Sequence, residues 1–187
     1  MKFDCILAGV GGQGVLSVAA VIAHAAANAG FSVRQSEVHG MAQRGGAVLA
    51  HLRIADTPIA GDLVPKGSAD MIISMEPLES LRYLSWLSPQ GMVVTAAENF
   101  VNIPNYPEAA EIENAIKSLP KSALVNAAAL AKEAGLPKAV NMVMVGAASP
   151  FLPIPKETLE STVKEMFAAK DPKLAEMNVK AFRLGAQ

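Results

Sequence analysis

The N-terminal stretch constrains this chain more than any other. An apolar run over residues 3–8 meets Gly9-Val10-Gly11-Gly12-Gln13-Gly14, and residues 15–29 continue as a nearly unbroken apolar segment closed by Gly30. The order reads as strand, tight glycine turn, helix. Gly9, Gly11 and Gly14 have G-x-G-x-x-G spacing, which lets backbone N–H groups approach an anion at a helix N-terminus. Many α/β folds also need glycine there merely to turn and to pack helix on strand. The motif therefore points to a parallel α/β sheet before it points to a ligand. In the helix, Ser17, His24 and Asn28 fall on one narrow stripe and everything else is apolar, which predicts burial on more than one side.

A second glycine constellation follows, Glu37-Val38-His39-Gly40-Met41-Ala42-Gln43-Arg44-Gly45-Gly46. A dinucleotide fold places an acidic residue at the end of its second strand to hold ribose hydroxyls, and Glu37 is tolerably positioned for that. The loop ending in Arg44-Gly45-Gly46 is unusual for such folds. Glycines beside an arginine let backbone approach closely while the guanidinium reaches a phosphate, a carboxylate or a partner's backbone. The alternative is an arginine that simply solvates a turn. The candidate anion-binding residues are thus Gly9, Gly11, Gly12, Gln13 and Gly14. The candidate site-completing or interface loop comprises Glu37, His39, Arg44, Gly45 and Gly46.

Strand and helix patterns alternate along the rest of the chain. Further strands are predicted at residues 31–38, 48–54, 70–75, 91–96 and 123–126, and residues 48–54 alternate as a half-buried strand. Asp56-Thr57-Pro58 supplies turn chemistry before a short return strand near Ile59, so a loop and hairpin replace a crossover helix here. Glu76-Pro77 opens a helix to about residue 87, with proline in the first turn. Helices follow at about 108–118, 127–134, 140–148, 156–169 and 173–184. These features predict a three-layer, Rossmann-like α/β fold with a mostly parallel sheet, a β-hairpin insertion and a helical C-terminal third. They also predict a single domain over residues 1–187 with a helical extension from about 140. Three prolines between 150 and 155 mark either a hinge or a stiff helix connector.

Composition narrows the function. Hydrophobic residues make up 51% and mean hydropathy is +0.30. Either a buried parallel core or an apolar subunit interface accounts for this. Net charge is −1, so no global field recruits nucleic acid or an anionic membrane. Four of the five arginines lie in the first half, where planar contact to phosphate or carboxylate would be used. The single Cys5 cannot form an intrachain disulfide or ligate an iron–sulfur cluster alone, which fits a reducing cytoplasm. Neither a signal peptide nor a bilayer-spanning stretch is expected. His24, His39 and His51 lack metal-ligand spacing, Ser17 and Ser36 lack a nucleophile-elbow context, and there is no P-loop. The chain has a candidate anion cradle and no evident catalytic apparatus of its own. A stand-alone NAD(P)-binding oxidoreductase and a non-catalytic assembly subunit both remain open at this point.

The two glycine constellations, with Val48-Leu49-Ala50-His51-Leu52-Arg53-Ile54, resemble the gamma-type subunits of 2-oxoacid:ferredoxin oxidoreductases. The version Glu-Val-His-Gly-Met-Ala-Gln-Arg-Gly-Gly is most similar to the indolepyruvate branch of that family, where the corresponding chain is the beta subunit. The resemblance continues through Ser74-Met75-Glu76-Pro77-Leu78-Glu79-Ser80-Leu81-Arg82 and Asn141-Met142-Val143-Met144-Val145-Gly146. It implies a share in an enzyme that decarboxylates aryl 2-oxo acids oxidatively, forms acyl-coenzyme A and passes electrons to ferredoxin. Thiamine diphosphate and [4Fe–4S] clusters would then belong to a larger alpha subunit. Gly61-Asp62-Leu63 is only a remnant of the thiamine motif, lacking its third glycine and its asparagines. The resemblance implies no metal and no tightly held cofactor on this chain, with coenzyme A meeting its anion cradle.

Overall fold

A computed structural model describes residues 1–39, 45–169 and 171–187. Among these it contains six strands: β1 (Lys2–Val10), β2 (Ser32–His39), β3 (Ala47–Ala55), β4 (Ala69–Ser74), β5 (Leu87–Ala96) and β6 (Ser122–Val125). The α-helices are α1 (Val15–Asn28), α2 (Pro77–Arg82), α3 (Ala109–Lys117), α4 (Ala127–Glu133), α5 (Val140–Ala148), α6 (Lys156–Ala168) and α7 (Pro172–Gly185). The strands form one sheet in the order β2-β3-β1-β4-β5-β6. β1, β4, β5 and β6 are mutually parallel, and β3 runs antiparallel to both of its neighbours. This is the expected α/β architecture.

The hairpin differs in detail from the expectation. β2 and β3 pair with each other directly, from Ser32 opposite Ala55 to His39 opposite Val48. The return strand expected near Ile59 is not formed, and residues 56–68 are irregular. The reason is geometric: β3 is already flanked by β2 and β1, leaving no edge for another strand. Side chains take up the backbone groups of this connection instead. Arg53 Nη1 donates to the carbonyls of Gly61 (2.9 Å) and Leu63 (3.2 Å), and Val64 N donates to His51 Nδ1 (3.2 Å). β3 is consequently covered on both faces rather than half-buried. Ala50, Leu52 and Ile54 lie under α1, and His51 is only 5% exposed on the other face.

Strand alternation divides the core. Cys5, Leu7, Met71, Ile73 and Val94 face the larger cluster with α1 and α5, while Ile6, Ala8, Ile72 and Val93 face the smaller one. α6 and α7 pack outside α1 and α5, which explains the all-round apolarity of α1. Gly14 provides α1 no side-chain cap, and capping is worth only ~1 kcal/mol. Burial of Val15, Val18, Val21 and Ile22, at roughly 1.5–3 kcal/mol each, therefore decides whether α1 forms. The proline-containing connector between α5 and α6 sends Leu152 and Ile154 into the same core.

Candidate functional site

The C-terminal ends of the parallel strands carry the glycine turn. Gly12 and Gly14 both adopt positive φ (99° and 80°), and Gly14 is the N-cap of α1. A Cβ on Gly14 would stand 2.1 Å from Asn141 Nδ2, so any other residue here would be strained in conformation and would have to displace the Asn141 amide. Asn141, in the first turn of α5, donates from Nδ2 to the Gly14 carbonyl at 3.1 Å. Gln13 braces the turn: its N–H donates to Val10 O (3.0 Å), and its Oε1 accepts from Val10 N (2.8 Å).

The two glycine constellations meet. Gly11 N donates to Gly46 O at 2.8 Å, and Gly45 N donates to Gly11 O at 3.4 Å, extending the β1–β3 pairing beyond the strand ends. The Gly11 amide is thus committed to Gly46 and is not a donor for an anion, which narrows the expected cradle. Among the described residues, nothing accepts from the Gly12 and Gly14 amides. Gly9 lies inside β1, at the base of the turn. Glu37 lies on β2, opposite Ala50, and β3 stands between it and β1. A dinucleotide fold sets its ribose-binding acid on the strand next to the glycine turn. The interposed antiparallel strand removes Glu37 from that place. Arg44 and the side chain of His39 lie outside the described residues.

Beside the turn opens a cleft of about 450 Å³. Gly12, Gln13 and Gly14 form one wall, Met75 and Glu98 the ends of β4 and β5, and Ala128, Lys138, Val140 and Asn141 the wall opposite. Its lining thus combines the glycine turn, Lys138 and Glu98 with apolar Met75, Ala128 and Val140. Glu98 Oε1 accepts from Ala128 N at 2.7 Å, so that carboxylate caps α4. Lys138 carries no local sign in the sequence, and Asn141 enters only through the resemblance over residues 141–146; both stand more than a hundred residues from the turn they face. Among the described residues, no cluster of histidine, cysteine, aspartate and glutamate could hold a metal. Cys5 is fully buried, and burial pushes its thiol well above the ordinary value. That chemistry does not fit a cluster ligand.

The profile of the pyruvate ferredoxin/flavodoxin oxidoreductase family matches residues 4–187. The chain belongs to that family. It is 36% identical over 194 residues to indolepyruvate oxidoreductase subunit IorB of Archaeoglobus fulgidus, spanning 99% of this chain and 94% of that one. It is 31% identical over 180 residues to the pyruvate/ketoisovalerate oxidoreductases common subunit gamma of Pyrococcus abyssi, spanning 94% and 90%. The solved 2-oxoglutarate:ferredoxin oxidoreductase of Magnetococcus marinus, with 2-oxoglutarate, coenzyme A and succinyl-CoA bound, contains the same fold at a TM-score of 0.76 and 20% identity. The likeness covers 98% of this chain but only 30% of that longer one. The gamma-type assignment made on the glycine motifs is therefore correct at the level of family. No helix among the described residues is long and apolar enough to cross a membrane.

Proposed function

We propose that this chain, acting as one unit over residues 1–187, is the non-thiamine subunit of an indolepyruvate:ferredoxin oxidoreductase of the cytoplasm. It would take part in the coenzyme A-dependent oxidative decarboxylation of aryl 2-oxo acids, with electrons leaving to ferredoxin. The observation that carries this reading is the 36% identity to an indolepyruvate oxidoreductase subunit along nearly the whole length of both chains. A larger alpha subunit would hold thiamine diphosphate and the [4Fe–4S] clusters, since this chain offers neither a complete thiamine motif nor cluster ligands. Thiamine diphosphate, when bound there, would supply the carbanion chemistry.

For this chain we assign the cleft beside Gly12 and Gly14 to a phosphate of coenzyme A. Two backbone donors at a helix N-terminus and the Lys138 ammonium suit an anion, and Met75 and Val140 suit the less polar remainder of such a ligand. Arg44, Gly45 and Gly46 would complete the site or grip the alpha subunit. In the coexpressed complex, Lys138→Glu and Arg44→Ala are each expected to raise the coenzyme A requirement about ten- to a hundredfold, the worth of one charge-assisted hydrogen bond. Loss of the alpha subunit from Arg44→Ala would assign that residue to the interface instead. An unchanged coenzyme A requirement in both variants would refute the anion site. It would favour a packing role for the turn, toward which the internal bonds of Gln13 and Gly11 already lean.

A further inference from the structure

Glu76, two residues beyond the end of β4, is 1% exposed, and both of its carboxylate oxygens are engaged. Oε2 accepts from Glu79 N at 2.8 Å, which caps α2. Oε1 accepts from Phe100 N at 3.3 Å and from the Tyr106 hydroxyl. Those two donors belong to the connection between β5 and α3, which passes over the C-terminal end of the sheet. Between them, Asn102 Nδ2 donates to Gly45 O at 3.0 Å. Gly45 and Gly46 are in turn bonded to Gly11. An unbroken path therefore runs from a buried carboxylate, through a clamped strap, to the junction of the two glycine constellations.

Capping α2 requires only one oxygen of Glu76. The other is satisfied by the strap, and it would be stranded in the protein interior if the strap left. Phe100 and Val101 are 45% and 73% exposed. Their side chains do not hold the strap by burial; the polar anchors hold it together with the half-buried Ile103 and Tyr106. We propose that Glu76 is a positioning residue for the glycine site: by clamping residues 100–106 it presents Asn102 to Gly45, and so holds Gly45 and Gly46 against Gly11. This rests on reading the glycine segments as a binding site, and the two ideas fail separately in the following test.

Amide exchange is measured residue by residue on the full chain carrying Asn102→Ala, Tyr106→Phe, Glu76→Ala or Glu76→Gln. Loss of a single hydrogen bond predicts that Asn102→Ala and Tyr106→Phe speed exchange at Gly11 and Gly45 by at least ~5-fold, with Ile72 and Ile73 of β4 unchanged. Glu76→Ala should do the same. Glu76→Gln keeps an oxygen for Phe100 N and the Tyr106 hydroxyl, and should restore exchange at Gly45 to within about twofold of the parent. Unchanged exchange at Gly11 and Gly45 in Asn102→Ala overturns the proposal. So does acceleration by the same factor in β4, which would mean a structural role only. Coenzyme A affinity on the same variants is the second readout. Weaker binding in step with faster exchange supports both ideas, whereas a parent chain whose complex shows no coenzyme A dependence, with the exchange pattern intact, refutes the binding site and leaves the positioning role standing.

Discussion

His51 accepts its hydrogen bond from Val64 at Nδ1, which only the neutral ring can do. Burial, and secondarily the neighbouring Arg53 guanidinium, hold its pKa below the ordinary 6.5. The folded chain thus binds this proton less readily than the unfolded chain, so stability increases with pH through that region. The contribution of His51 is complete above 6.5 and is lost as pH falls below it. Urea unfolding at about pH 7.5 and about pH 5.5 should show a larger loss for the parent than for His51→Asn, which keeps a neutral acceptor. Equal losses would contradict the assignment. Arg53 has a different task. Its Nε and Nη2 reach Asp4 Oδ1 and Oδ2 at 2.8 and 3.3 Å, and Asp4 is fully buried. Lys2, itself half exposed, stands 2.9 Å from the same carboxylate and compensates in part. Arg53→Met should therefore cost about 2–4 kcal/mol, below the full penalty of stranding a buried charge. A loss of under about 1 kcal/mol in urea titration would show that the pair contributes little.

At the scale of elements, the C-terminal helices rest on backbone contact. A Cβ on Gly146 of α5 would stand 2.0 Å from the carbonyl oxygen of Phe182 on α7. Backbone cannot retreat as a flexible side chain does, so Gly146→Ala must push α7 outward and loosen Phe182, which is fully buried. The expected cost is about 2–3 kcal/mol or more. A melting temperature equal to the parent's would show that the two helices can separate freely. Much of this level was legible in the sequence. The apolar period and the flanking turn residues located α5, which spans Val140–Ala148 as expected, and α4, α6 and α7 to within two residues. The β2–β3 hairpin was legible only as the lack of a crossover helix. Strand patterns report which residues are extended, not which strands become neighbours, so the insertion of β3 between β2 and β1 left no trace. The same limit hid the fate of residues 56–68. Their turn-forming residues are visible in the sequence, but their bonding depends on Arg53 and His51 reaching across from β3.

For the whole molecule, the high apolar content is largely consumed internally, because α1 and α5 each separate the sheet from a further helical layer. Among the described residues, the large apolar side chains left exposed include Phe100 and Val101, in the connection whose Asn102 bonds Gly45 beside the glycine turn. That end of the sheet also holds Lys138, Asn141 and the Glu76 clamp. The turn itself was visible in the sequence because glycine spacing is a local signal. Glu76 was visible only as a helix-start residue, since its partners Phe100 and Tyr106 are 24 and 30 positions distant. Lys138 was invisible for the same reason. The proposed function makes this chain one part of an oxidoreductase and not the whole of it. The direct measurement is ferredoxin reduction with indolepyruvate and coenzyme A, by this chain alone, by a thiamine and iron–sulfur alpha subunit alone, and by the two coexpressed. Turnover is expected in the coexpressed complex, none from this chain, and little from the alpha subunit. Turnover by this chain alone, or an alpha subunit whose full activity is indifferent to it, would refute the proposed subunit role.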